Sequence, residues 1–127
     1  MADPGGDGRK VLVVEDDRGI RDLLIALLRL EGYVVDSVTD GEEAITAIDS
    51  SPYDAILLDL MLPRANGYDV IDHIVTKGPR IPIVLATAAE KSIERDRVNR
   101  LVVVSIIEKP FELSDVRDAM FNATHRR

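Results

Sequence analysis

The sequence predicts an α/β fold: a doubly wound parallel sheet of five strands alternating with five helices. Two observations predict it. Short β-branched or leucine-rich runs alternate along the chain with longer stretches whose apolar residues fall at helical spacing. The runs are also apolar without interruption, most clearly Ile56-Leu57-Leu58, as strands buried on both faces are.

The elements follow in order. Val11-Leu12-Val13-Val14 is strand one, and it stops at Glu15-Asp16-Asp17. The first helix carries Ile20, Leu23, Leu24, Leu27, Leu28 and Leu30 on its apolar side, and Gly32 ends it. Val34, Val35 and Val38 mark strand two. Asp40-Gly41-Glu42-Glu43 reads as a capping box with Asp40 as the cap, opening a second helix faced by Ala44, Ile45, Ala47 and Ile48.

After the Ser50-Ser51-Pro52 turn, strand three runs into Asp59. Pro63 and Asn66-Gly67 mark a loop, and Val70, Ile71 and Ile74 a third helix broken at Gly78-Pro79. Strand four is Ile81 to Ala86, ending at Thr87, with Pro82 confined to its start because it lacks an N–H. The fourth helix, Glu90 to Arg100, has a thin apolar face of Ile93, Val98 and Leu101. Strand five is Leu101 to Ile107, ending at Glu108-Lys109-Pro110. The fifth helix is Glu112 to Asn122, with Leu113, Val116, Ala119 and Met120 on one side. The simplest strand order is 2-1-3-4-5 with right-handed crossovers, a flavodoxin-like arrangement.

Composition bounds the functions. At 127 residues the chain is long enough for one domain with a real core, and no apolar run reaches the roughly 20 residues of a membrane span. Residues 1–9 read as a flexible tail without a targeting signal, 10–124 as the domain and 125–127 as a C-terminal tail; the expected location is the cytoplasm. There is no cysteine, so thiolate chemistry is excluded. A net charge of −7 argues against direct nucleic-acid binding, which needs clustered cations. His73 and His125 have no metal-ligand spacing.

Strands one, three, four and five end in polar groups: Glu15 and Asp16, Asp59, Thr87, and Lys109. Taken singly, Asp59 reads as a helix cap, Glu15-Asp16 as acids at a helix N-terminus, and Lys109 as a solvated lysine. Taken together, they converge on the crevice at the strand C-termini, where the order reverses between strands one and three. Three carboxylates there need a partner, since each pair at roughly 4 Å repels by about 4 kcal/mol at an effective dielectric near 20. A hard cation, Mg²⁺ or Mn²⁺, suits such oxygen ligands. An aspartate beside a metal, an ammonium and a hydroxyl is arranged to accept a phosphoryl group.

Val13-Val14-Glu15-Asp16-Asp17, Leu57 to Pro63, Ala86-Thr87-Ala88 and Glu108-Lys109-Pro110-Phe111 resemble the signature segments of bacterial response regulator receiver domains. The resemblance runs from about Lys10 to the end of the fifth helix, and it is the combination of motifs that is specific. It implies that Asp59 is the phosphoacceptor and that Glu15, Asp16, Asp59 and the Met61 backbone carbonyl hold Mg²⁺. It further implies that Thr87 bonds the phosphoryl group, that Lys109 pairs with it, and that the Lys109–Pro110 bond is cis. The implied phosphodonor is a sensor histidine kinase or a histidine phosphotransfer protein. The apolar edge strand Leu101 to Ile107 is expected to form, with the fourth and fifth helices, a partner- or self-association face open to a homodimer.

Two departures touch the output. Val102-Val103 stands where the family usually has Gly-Ala, and Ile106 where it usually has a rotating Tyr or Phe. Small residues Ala88 and Ala89, with Met61, are expected to leave an acyl phosphate open to water. Two other readings compete. A phosphatase with an Asp nucleophile would commonly carry a second Asp two residues on, where this chain has Met61. An interaction module not regulated by phosphorylation would have no need of the complete set Glu15, Asp16, Asp59, Thr87 and Lys109.

Overall fold

Five strands, β1 (Lys10–Val14), β2 (Val34–Val38), β3 (Ala55–Leu58), β4 (Ile83–Thr87) and β5 (Val103–Glu108), pair in parallel in the order β2-β1-β3-β4-β5. The structure is a computed structural model that describes residues 5–62, 64–78, 80–88 and 93–126. Four α-helices among the described residues cover the sheet: α1 (Arg18–Leu30), α2 (Gly41–Ser50), α3 (Gly67–Thr76) and α4 (Leu113–Thr124). Among the described residues no helix is long and apolar enough to cross a membrane.

The uninterrupted apolar runs are explained by two cores, one on each face of the sheet. Leu12, Val14, Ile56, Leu58, Ile83 and Leu85 face the layer of α2 and α3. Their neighbours Val11, Val13, Ala55, Leu57, Val84 and Ala86 face the layer of α1 and α4. Side chains alternate along a strand, so burial on both faces requires every position to be apolar. Within α1, Leu24 and Leu28 are buried and Ile20 and Leu27 pack partly buried against the same core, whereas Leu23 and Leu30 are exposed, so the predicted apolar face is too wide by those two residues. Gly32 follows the helix with a φ of 89°, a conformation that costs an L side chain and suits glycine.

Helix starts divide the acidic residues by role. Asp17 caps α1 by accepting from Ile20 N–H at 2.9 Å, which leaves Glu15 and Asp16 free of that task. Asp40 caps α2 through Glu43 N–H at 2.8 Å, while Glu43 reaches the N–H of Thr39 and not that of Asp40, so the predicted box is displaced by one residue. The full capping box is at α3, where Asn66 and Asp69 satisfy each other's backbone N–H groups; sequence reading assigned Asn66-Gly67 to a loop.

Two predicted elements need correction. Of the helix expected over 90–100, residues 90–92 lie outside the described residues, and the remainder holds a single 3₁₀ turn, Arg95–Arg97. Ile93 and Val98 are buried but Leu101 is 69% exposed, so three apolar residues do not make a continuous face. Strand five begins at Val103, not Leu101, because the N–H groups of Val102 and Val103 both turn back to Asn99 O. The fifth predicted helix is α4, and its Leu113 is exposed. Pro82 sits one residue before β4, as its missing N–H requires, while Pro63, Pro79 and Ala89 lie outside the described residues.

Candidate functional site

The register of the sheet brings the strand ends together. Val14 pairs with Leu58 and Leu58 with Leu85, so Glu15, Asp59 and the end of β4 emerge side by side. Asp59 N–H donates to Val14 O at 3.1 Å, which ties the first residue after β3 to the last of β1. Lys109 N–H donates to Thr87 O at 2.8 Å, which ties the residue after β5 to the last of β4. Glu15, Asp59 and Thr87 are buried, at 2%, 6% and 2% exposure, while Asp16 is exposed.

Three carboxylate oxygens, one each from Glu15, Asp16 and Asp59, lie within 4.8 Å of one another. Lys109 Nζ joins them, donating to Glu15 Oε1 at 2.5 Å and to Asp59 Oδ2 at 3.2 Å. The other Asp59 oxygen accepts from Met61 N–H at 3.1 Å, and Asp17 N–H donates to Glu15 Oε2 at 3.3 Å. Burial pushes the Glu15 carboxyl above its usual range, against the hydrogen bond from Lys109, and the charge of Asp59 adds to the rise. Burial works against the Lys109 ammonium, but the Glu15 hydrogen bond and the charges of Asp59 and Glu15 outweigh it and hold the group above its usual value.

The donor set fits a hard divalent cation: all oxygen, carboxylate-rich and open on the Asp16 side, where water reaches. It does not resemble a soft-metal site, since cysteine is absent from the chain and neither histidine is among the grouped ligands. The strand-end residues Glu15, Asp16, Asp59, Thr87 and Lys109 are therefore at this one edge. The Lys109–Pro110 bond is cis, as the resemblance implied.

Sequence reasoning missed Arg21. Its guanidinium donates to Glu15 O at 3.1 Å and to Asp16 O at 3.4 Å, holding the backbone of the acidic pair from helix α1. It also missed Arg64, whose guanidinium grips Asp40 at 2.6 and 3.1 Å. One arginine among charged helix residues and another in a loop carry no sequence signal of such a role.

The profile of the response regulator receiver domain matches residues 11–121. Among curated proteins, the transcriptional regulatory protein DltR of Streptococcus agalactiae is 38% identical over 109 residues, covering 84% of this chain and 48% of that protein. The response regulator MprA of Mycolicibacterium vanbaalenii is 36% identical over 107 residues, covering 84% and 46%. The chain thus spans about half the length of these curated relatives.

Among solved structures, the response regulator TrrA of Thermotoga maritima, in complex with Mg²⁺-BeF, is 30% identical with a TM-score of 0.79, covering 91% of this chain and 98% of that one. The receiver domain of a sensor histidine kinase from Pseudomonas aeruginosa, with magnesium coordinated in its active-site cleft, is 33% identical with a TM-score of 0.75, covering 91% and 95%. The non-phosphorylated HemR receiver domain of Leptospira biflexa is 30% identical with a TM-score of 0.84, covering 94% and 96%.

Proposed function

The chain belongs to the response regulator receiver domain family, and from that premise we propose that it is a Mg²⁺-dependent phosphoryl acceptor whose nucleophile is Asp59. The observation that carries the reading is the meeting of three acid oxygens within 4.8 Å with the Lys109 ammonium bonded to two of the same carboxylates. Glu15, Asp16, Asp59 and the Met61 carbonyl would hold the ion. When bound, it offsets charge on the transferring group.

In the step proposed, an Asp59 oxygen attacks the phosphorus of a phosphohistidine on a sensor histidine kinase or phosphotransfer protein. The P–N bond breaks, its electron pair leaves with the imidazole, and an acyl phosphate remains on Asp59. Lys109 offers its ammonium to the phosphoryl oxygens and Thr87 its hydroxyl. The proposed unit runs over residues 10–124 and acts in the cytoplasm as a regulator.

The test is intact mass after incubation with acetyl phosphate and Mg²⁺. The parent should gain one phosphoryl group with Mg²⁺ and none when Mg²⁺ is removed before incubation, and Asp59→Asn should gain none while folding normally. Undiminished uptake by Asp59→Asn overturns the assignment.

A further inference from the structure

The acid cluster is held by a ring of contacts, and one of them is made by side chains at some distance from the chemistry. Glu15 N–H donates to Val38 O at 3.2 Å, joining the β1 end to the β2 end. Two residues beyond Val38, the carboxylate of Asp40, buried at 1% exposure, receives the Arg64 guanidinium on one oxygen and Glu43 N–H on the other. Arg64 lies in the loop after β3, and five residues before it is Asp59, which bonds back to Val14 beside Glu15. The ring thus runs Glu15, Val38, Asp40, Arg64, Asp59, Val14 and returns to Glu15.

The Asp40–Arg64 link is reinforced by the backbone. Glu42 N–H donates to Arg64 O at 3.2 Å. Gly41 approaches the loop so closely that a Cβ there would fall 1.8 Å from Ala65 O. Arg64 and Ala65 have φ values of 42° and 62°, conformations that non-glycine residues adopt only when their surroundings impose them. The same loop supplies the Met61 N–H that fixes one oxygen of Asp59.

We infer that Arg64 is a positioning residue: through Asp40 it closes the ring that sets the spacing of the acid cluster, and so sets the cluster's affinity for a divalent cation. The inference rests on the proposed reading of the site. Like charges on Glu15, Asp16 and Asp59 push the loops apart, and a ring resists that opening better than an open chain of contacts. Groups that only orient ligands commonly change metal affinity by about 10- to 100-fold when removed, and an indirect link should sit at the low end.

The test compares the 127-residue parent with Arg64→Ala, Arg64→Gly and Arg64→Lys. Mg²⁺ affinity is read by calorimetry and uptake from acetyl phosphate by intact mass. Arg64→Gly accepts the positive φ without strain, so comparison with Arg64→Ala separates loss of the side chain from backbone strain. The expected result is weaker Mg²⁺ binding by about tenfold in Arg64→Gly and Arg64→Ala, with Arg64→Lys recovering most of the loss. Uptake at saturating Mg²⁺ should fall less than uptake at limiting Mg²⁺. A parent that binds Mg²⁺ and takes up phosphoryl beside a folded Arg64→Gly with unchanged affinity overturns the inference alone. A parent that does neither overturns the reading of the site and the inference with it.

Discussion

The Lys109 ammonium lies 2.5 Å from Glu15 Oε1, on a carboxylate that also belongs to the group of acids suited to a cation. Lysine and an ion bound there would share Glu15 as a partner. Removing the lysine in Lys109→Met takes away a competitor for Glu15 and leaves the acids to repel one another. Mg²⁺ should then bind more tightly, on the order of tenfold, about 1.4 kcal/mol, while uptake from acetyl phosphate falls because one cation facing the phosphoryl oxygens is gone. Calorimetry and intact mass measure the two effects. Weaker Mg²⁺ binding in Lys109→Met would mean that the lysine supports the ion site and does not compete with it.

Mg²⁺ should also stabilise the fold. An ion that binds only the assembled acids raises stability by about 2.7 kcal/mol at a hundred times its dissociation constant. Thermal melts in rising Mg²⁺ should show a shift that shrinks in Asp16→Ala. Asp16 is exposed and is not the α1 cap, so this variant tests ligation without a helix-capping penalty. An equal shift in parent and variant would put the cation elsewhere.

Acid should weaken the Asp40–Arg64 link in a defined window. The Glu43 N–H holds the Asp40 carboxyl below its ordinary value of 3.8; burial opposes this, and the Arg64 guanidinium adds to the lowering. The folded chain thus binds this proton less tightly than the unfolded one. The stabilisation is complete above the ordinary value and is lost as pH falls through the lower, folded value. Asp40→Asn keeps a capping oxygen but loses the charge. Its melting deficit against the parent should be constant near neutrality and close below about pH 4. A deficit that persists unchanged into strong acid would assign the effect to packing.

Much of this was legible in the sequence, and the limits have physical reasons. Strands buried on both faces announce themselves by unbroken apolar runs, so β1, β3 and β4 stood out, and with them the positions of Glu15, Asp59 and Thr87. Lys109 was legible because a strand end precedes it. The region of residues 93–102 was not, since a few apolar residues among many charges fit a helix or a turn equally well. There Arg97 is held at 2.8 Å by Asp72 and lies over the Tyr68 ring, contacts between distant parts of the chain that periodicity does not encode. Arg21 and Arg64 escaped for the same reason.

The last prediction concerns output. Reversing a two-state switch from 1:99 to 99:1 takes about 5.5 kcal/mol of differential binding. A charge-assisted hydrogen bond from Thr87 supplies about 1.5–3 kcal/mol of it, so Lys109 and the packing of β5 must supply the rest. Ile106, half-buried against the α2–α3 side of the core, has no ring to rotate and no hydroxyl to re-bond. The packing share should therefore be small. The face around it is formed by the Arg95–Arg97 turn, β5 and α4; Leu101, just before β5, is exposed, and β5 is an edge of the sheet. Self-association through this face should rest on apolar contact, survive high salt, and tighten by less than about tenfold on phosphorylation, equivalent to about 1.4 kcal/mol. Sedimentation with and without a phosphoryl mimic, at low and high salt, measures this. Leu101→Ser should weaken the association and Ile106→Tyr should enlarge its response to the mimic. A strong, salt-sensitive dimer that forms only with the mimic would show that Ile106 does not blunt the switch.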